Sequence, residues 1–153
     1  MRNLFPFLLL LVGCAPGLSS LAIGTCSDAD YDPSDFESTC IDRDGNVPLD
    51  VLPGEVDSAL VELYAEGSHA GTWEVTATAS SDAGPVATVV SPNPVTVDGE
   101  AVFVEVELTI PNDACGSVML QVTSMNVDKR DVMGLGSRSF AVVDTNGDRL
   151  ACP

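Results

Sequence analysis

An antiparallel β-sandwich of about seven or eight short strands is the fold class this sequence predicts, on three observations. Apolar and polar residues alternate with a period of two through several segments. Clusters of Gly, Pro, Asp and Asn punctuate those segments roughly every 8–12 residues, the turn spacing of an all-β domain. No window longer than about ten residues shows helical periodicity. The hydrophobic content of 45% supplies a core for one domain in a chain of 153 residues.

The strands are read in chain order. VPLDV from Val47 is a short candidate. In ALVELYA, Ala59, Val61, Leu63 and Ala65 form one apolar face. EGSHAG, Glu66 to Gly71, is a turn leading to TWEVTATAS, where Trp73, Val75, Ala77 and Ala79 share a face. Trp73 has the inward phase and is expected to fill the core rather than stack on a sugar. SDAGP precedes PVATVV, and SPNP precedes PVTV. Pro92 and Pro94 would break a central ladder, so they belong at a sheet edge or crossing. After VDG comes AVFVEVELTI, with Val102, Val104, Val106, Leu108 and Ile110 inward. SVMLQVT turns Val118, Leu120 and Val122 inward, and SRSFAVVD from Ser137 closes the series.

The region from Val47 to Asp144 resembles bacterial immunoglobulin-like domains. The resemblance lies in PGE (Pro53 to Glu55) before a strand, GTWEVTATAS, PNPVTVDGEAVFVEVELTIP and CGSVMLQVTS. It implies an Ig-like sandwich over residues 47–153, including the C-terminal tail. The chain departs from the antibody pattern, because no Cys pair brackets Trp73.

The N-terminus reads as an address and an anchor. Arg2 is followed by an apolar run, Leu4 to Val12, of about nine residues, too short to span a bilayer as a helix but suited to a signal peptide. The run ends Leu11-Val12-Gly13-Cys14. This motif resembles the lipobox of bacterial lipoproteins. The resemblance implies a signal peptide at 1–13, cleavage before Cys14, and acylation of Cys14, which would hold the chain to a lipid bilayer. The modified atom is a thiol because its thiolate is the available nucleophile, and several acyl chains anchor durably where one does not. Ala15 after the Cys implies the outer membrane, by resemblance to the Gram-negative sorting rule. The alternative is cleavage after Leu18-Ser19-Ser20-Leu21-Ala22, leaving a secreted protein. Residues 14–25 are expected to form a lipidated tether and residues 26–46 an acidic loop region.

Setting Cys14 aside leaves Cys26, Cys40, Cys115 and Cys152. Four cysteines in an oxidising compartment allow three pairings of two disulfides. Cys26–Cys40 and Cys115–Cys152 are favoured. The second follows from topology: strands near 117–123 and 138–144 should pair antiparallel, so a folded-back tail, DTNGDRLACP, brings Cys152 to Cys115. Zinc is disfavoured, because no two Cys are spaced C-x-x-C and His69 stands alone.

The chain carries 23 Asp and Glu against 6 Lys and Arg, a formal charge of -17. Such a balance excludes nucleic-acid backbones as partners, since Lys and Arg must replace their counterions. Oxygen-bearing side chains alternate at Asp28, Asp30 and Asp32, followed by Asp35 and Glu37, then at Asp42, Asp44 and Asn46, and again at Asp144, Asn146 and Asp148. Alternating Asp and Asn oxygens are the first three ligand positions of an EF-hand loop, so Ca2+ is the one cofactor the sequence suggests. Neither DRDGN nor DTNGD is complete: Val47 and Arg149 stand where the loop needs Gly, and DTNGD has no closing Glu. The competing reading is a set of solvated Asp-Gly and Asn-Gly turns.

Catalysis has little to work with. Ser68 and His69 are sequence neighbours in a turn, with no orienting acid at a known spacing. Glu105 and Glu107 alternate on a strand as ordinary surface carboxylates do. The segment Ser124 to Ser137 reads as a long loop at the end of the sandwich, with Lys129, Arg130 and Met133 as contact residues for an envelope protein partner. The expected function is a non-enzymatic, lipid-anchored envelope protein with a structural or protein-binding role. The alternative is a calcium-dependent adhesive or glycan-binding module, using the Asp clusters and an aromatic such as Tyr31, Phe36 or Phe103.

Overall fold

Two β-sheets, antiparallel except for the short pairing at one edge, face each other, and one strand belongs to both. The computed structural model describes residues 19–24, 50–130 and 133–153. Nine strands occur in them: β1 (Ser19–Gly24), β2 (Asp50–Val51), β3 (Val56–Ala65), β4 (Gly71–Ser81), β5 (Gly84–Ser91), β6 (Val95–Val97), β7 (Val102–Thr109), β8 (Ser117–Asn126) and β9 (Met133–Val142). One layer runs β1-β3-β7-β5, and the other runs β5-β4-β8-β9-β2 with β6 also on β4. The expected Ig-like, all-β sandwich is the observed fold. The period-two faces read from sequence are the buried ones: Ala59, Val61, Leu63, Trp73, Val75, Val104, Val106, Leu108, Val118, Leu120 and Val122 all lie in the core. Burying one such aliphatic side chain contributes about 1.5–3 kcal/mol.

The edge of β4 explains the middle of the chain. A tight turn at Asp82 and Ala83 joins β4 to β5, and Ser81, Ser80 and Ala79 pair with Gly84, Pro85 and Val86. From Ala87 the same strand leaves β4 and pairs with β7 in the opposite layer. The chain then returns, and β6 pairs with β4 at Gly71 to Trp73. A gap is left along β4 between the two pairings. Side chains fill it. Asn93 Oδ1 accepts a hydrogen bond from the Val75 N–H at 2.9 Å, and Asn93 Nδ2 donates to the Val75 carbonyl at 2.8 Å. Thr88 Oγ1 donates to the Ala77 carbonyl at 3.0 Å. The primary amide of Asn93 thus takes the place of a strand's own peptide group, which it matches in donor and acceptor. Pro92 and Pro94 flank Asn93 at this crossing, as the sequence predicts, and both preceding peptide bonds are cis.

Three sequence expectations are corrected. Residues 19–24, read as part of a tether, form β1, which pairs with β3 from Ser19↔Ala65 to Gly24↔Leu60. Leu21 and Ile23 point inward and pack over glycines of β9: a Cβ on Gly136 would lie 2.5 Å from Leu21 Cδ2 and 3.1 Å from Ile23 Cδ1. The segment Ser124–Ser137 is not a long loop. β8 continues to Asn126 and β9 starts at Met133, with Met125 paired to Met133. Gly134 and Gly136 are cradles for β1. The EGSHAG segment is not a hairpin turn, because β3 and β4 lie in different layers; it crosses between them through a 3-10 turn at Gly67–His69. Of VPLDV, Asp50 and Val51 form β2, parallel to β9, while residues 47–49 lie outside the described residues.

Two substitutions test these packing devices. Asn93→Ala leaves both backbone groups of Val75 without partners and is expected to cost about 1–3 kcal/mol in urea unfolding, with faster exchange of the Val75 amide. Gly136→Val overfills the β1 seat and is expected to cost about 1–3 kcal/mol, with lost exchange protection over 19–24.

Candidate functional site

One end of the sandwich is organised by a buried amide. Asn126, fully buried at the end of β8, donates from Nδ2 to the His69 carbonyl at 3.1 Å. Its Oδ1 accepts from the backbone N–H groups of Asp128 and Lys129 at 3.1 and 3.2 Å. The Arg130 N–H donates to the Asn126 carbonyl at 2.8 Å, and Arg130 itself is left-handed, with φ 48°. Lys129 and Arg130 are thereby displayed on a short exposed turn. Met133 is not on that turn but at the start of β9, so the three proposed contact residues do not form one loop. Ser19, Ala65, Gly71, Val97 and Asn126 all lie at this end, as the pairings Ser19↔Ala65, Gly71↔Val97 and Trp73↔Asn126 require.

Inside the same end lies a narrow recess lined by Ser19, Leu63, Tyr64, Trp73, Ser124 and Gly134 among others. Trp73 is only 2% exposed, so it is the core residue its phase predicts. Its Nε1, like His69 Nδ1, has no hydrogen-bond partner among the described residues. Tyr64 donates to Glu66 Oε2 at 2.6 Å, and that bond holds the phenol's pKa above its ordinary value.

The opposite end carries the disulfide and the acidic hairpin. Cys115 and Cys152 are bonded, with Cα atoms 5.1 Å apart, the pairing inferred from topology. The bond spans a sequence separation of 37, and closing such a loop contributes about 4 kcal/mol in the chain-entropy view. The tail folds back through hydrogen bonds from Leu150 N to the Val142 carbonyl and from Gly116 N to the Leu150 carbonyl. Gly116 has φ 70°, and a Cβ there would collide with the Asp82 carboxylate, which accepts from Ser117 N at 3.1 Å. Only glycine meets both demands.

Asp144, Asn146 and Asp148 lie on a hairpin closed by the Val143↔Arg149 bridge. Asp144 Oδ1 accepts from the N–H groups of Asn146 and Asp148 at 2.8 and 3.0 Å, and Oδ2 accepts from Asn146 Nδ2 at 3.2 Å. These bonds, that from Asp148 first, hold the carboxyl below its ordinary pKa. The carboxylate therefore caps its own turn. Among the described residues, no group of three His, Cys, Asp or Glu side chains is placed to hold a metal ion. Cys14, Cys26, Cys40, Tyr31, Phe36 and the acidic residues from Asp28 to Asn46 lie outside the described residues.

The two outer faces differ in charge. On β3 and β7, Glu62, Glu105 and Glu107 point outward, with Glu62 opposite Phe103 and Glu105 opposite Leu60. On β4, β8 and β9 the outward rows are Glu74–Met125, Thr76–Thr123–Leu135, Thr78–Gln121–Ser137 and Ser80–Met119–Ser139. Glu74 is the one charged residue in those rows. Leu135 is 74% exposed and Met119 41%. Sequence reading overlooked this face. Its signal was the run of Thr and Ser at the outward positions of TWEVTATAS, where AVFVEVELTI has Glu.

No protein-family model and no curated protein matches the chain. Among solved structures it is similar to the ASH/PapD-like domain of human CEP192 (PapD-like domain 7), at 12% identity and a TM-score of 0.38, over 70% of this chain and 84% of that one. The Ig-like sandwich assignment rests on the strand pairing described above.

The acidic hairpin gives a pH-dependent prediction. Because the folded pKa of Asp144 is lowered, its contribution is fully present above the unfolded value of about 3.9 and is lost as pH falls through the folded value. Asp144→Ala is expected to melt below the parent at neutral pH. Melting curves taken downward from about pH 4 should show the gap closing. A gap that stays constant into strong acid would contradict this role.

Proposed function

We propose that this chain is a non-enzymatic, lipid-anchored protein of a bacterial cell envelope, whose Ig-like sandwich has a structural or protein-binding role. The observation that carries the reading is Leu11-Val12-Gly13-Cys14 at the end of a short apolar run. Ala15 extends it to the outer membrane. The Cys115–Cys152 disulfide supports it, because such bonds persist in oxidising compartments. The residue inventory supports a role without catalysis, since the only His is held in a crossing turn through its backbone.

The position of β1 refines the picture. Cys14 and Ser19 are separated by residues 15–18. That connection reaches at most about 18 Å when fully extended. The end of the sandwich carrying Ser19, Asn126, Lys129 and Arg130 would then face the bilayer. The Cys115–Cys152 end would face away.

Replacing the acylated residue tests the anchor. Cys14→Ser is expected to abolish incorporation of a fatty-acid probe and to move the protein out of the detergent-soluble membrane fraction. Retention of the probe by the variant would refute the assignment.

A further inference from the structure

We propose that the outer face of β4, β8 and β9 is a self-association surface, through which two copies of this chain pair sheet to sheet. The inference rests on the distribution of charge. In a chain of formal charge -17, the four outward rows of this face hold one carboxylate, Glu74, while the opposite face presents Glu62, Glu105 and Glu107. Two such chains repel through most of their surfaces. Joining the uncharged faces is the arrangement that brings the fewest carboxylates together and puts the acidic faces outermost. Leu135 and Met119 stand exposed here among Thr76, Thr78, Gln121 and Ser137, whereas on the opposite face the exposed Val89 is paired with Glu107. Pairing these Thr, Ser, Met and Leu side chains buries no charge beyond Glu74.

Size sets the strength. Three strands and four rows cover about 15 Å by about 25 Å, on the order of 400 Å² before side-chain relief, against about 800 Å² per partner in a standard interface. The pair is therefore weak in free solution. Confinement strengthens it, a step that rests on the proposed anchor. Strands leading away from a shared membrane let two copies meet with a two-fold axis along the strands, both anchored ends on one side. β8 is the middle strand of the three, so Gln121 lies nearest that axis.

Site-directed cross-linking of the full chain in intact cells tests this. Gln121→Cys with a short bis-maleimide is expected to give a covalent dimer, and Glu105→Cys on the opposite face is not. Adding Leu135→Asp to Gln121→Cys should reduce the dimer at least tenfold while leaving the melting temperature near that of the parent, as its side chain is solvent-exposed. In membrane vesicles, raising salt from about 0.05 M to about 1 M should increase the dimer, because repulsion between the acidic chains is screened. Absence of a Gln121→Cys dimer, or an equal yield from Glu105→Cys, overturns the proposal. Fatty-acid labelling of the same samples separates the two claims. A dimer without label removes the anchor and keeps the surface; label without dimer does the reverse.

Discussion

The edge of β4 is the constraint on which the sandwich depends. A β-strand inside a two-layer fold must satisfy its backbone on both sides, yet β4 has β8 along one side and only fragments of β5 and β6 along the other. That discontinuity frees β5 to cross to β7, and the crossing ties the layers together through backbone as well as through side-chain packing. It is tolerable because Asn93 and Thr88 supply the missing hydrogen bonds. Without Asn93, both backbone groups of the buried Val75 would lose their partners, at about 1–3 kcal/mol together. The polar side chains here do structural work that the pattern of apolar residues cannot.

Similar economy appears at both ends. At one, the Asn126 amide binds the β3–β4 crossing through the His69 carbonyl and the β8–β9 turn through two N–H groups. One side chain sets two connections, and the basic residues on that turn owe their display to it. At the other, Asp82 accepts from the start of β8 and Asp144 caps its own hairpin, while Cys115–Cys152 fixes the tail. Some carboxylates that look like a diffuse acidic surface in the sequence are thus committed to particular backbone donors.

The legible parts of the fold are those where a single face is buried. Ala59 to Ala65, Trp73 to Ala79 and Val102 to Ile110 alternate because their other face meets solvent, and the period alone assigns them. The antiparallel ending of β8 and β9 was legible too, and with it the Cys115–Cys152 bond. β1 was not, because SSLAIG offers only two inward side chains and its seat is provided by Gly134 and Gly136, more than a hundred residues away. Those glycines also disguised the first half of β9, since glycine is depleted in strands unless something must pack over it. In the candidate site, the Asp144 turn could be read from its Asp and Gly spacing. The uncharged face was harder to read, because its signal is the lack of charge at the outward positions of TWEVTATAS, and which strands lie beside that one is set by pairing that the sequence pattern does not show.

β1 has a mechanical consequence. Its six residues pair with β3 along their whole length, and the strand begins at the end from which the preceding chain departs. A pull on that preceding segment runs along the strand axis, across hydrogen bonds that lie perpendicular to it. All of them share the load at once, in shear, instead of opening one after another as in a zipper. Leu21 and Ile23, seated over the β9 glycines, would have to drag through that seat before the strand could slide. The molecule is therefore built to resist tension at the point where its N-terminal segment enters the fold.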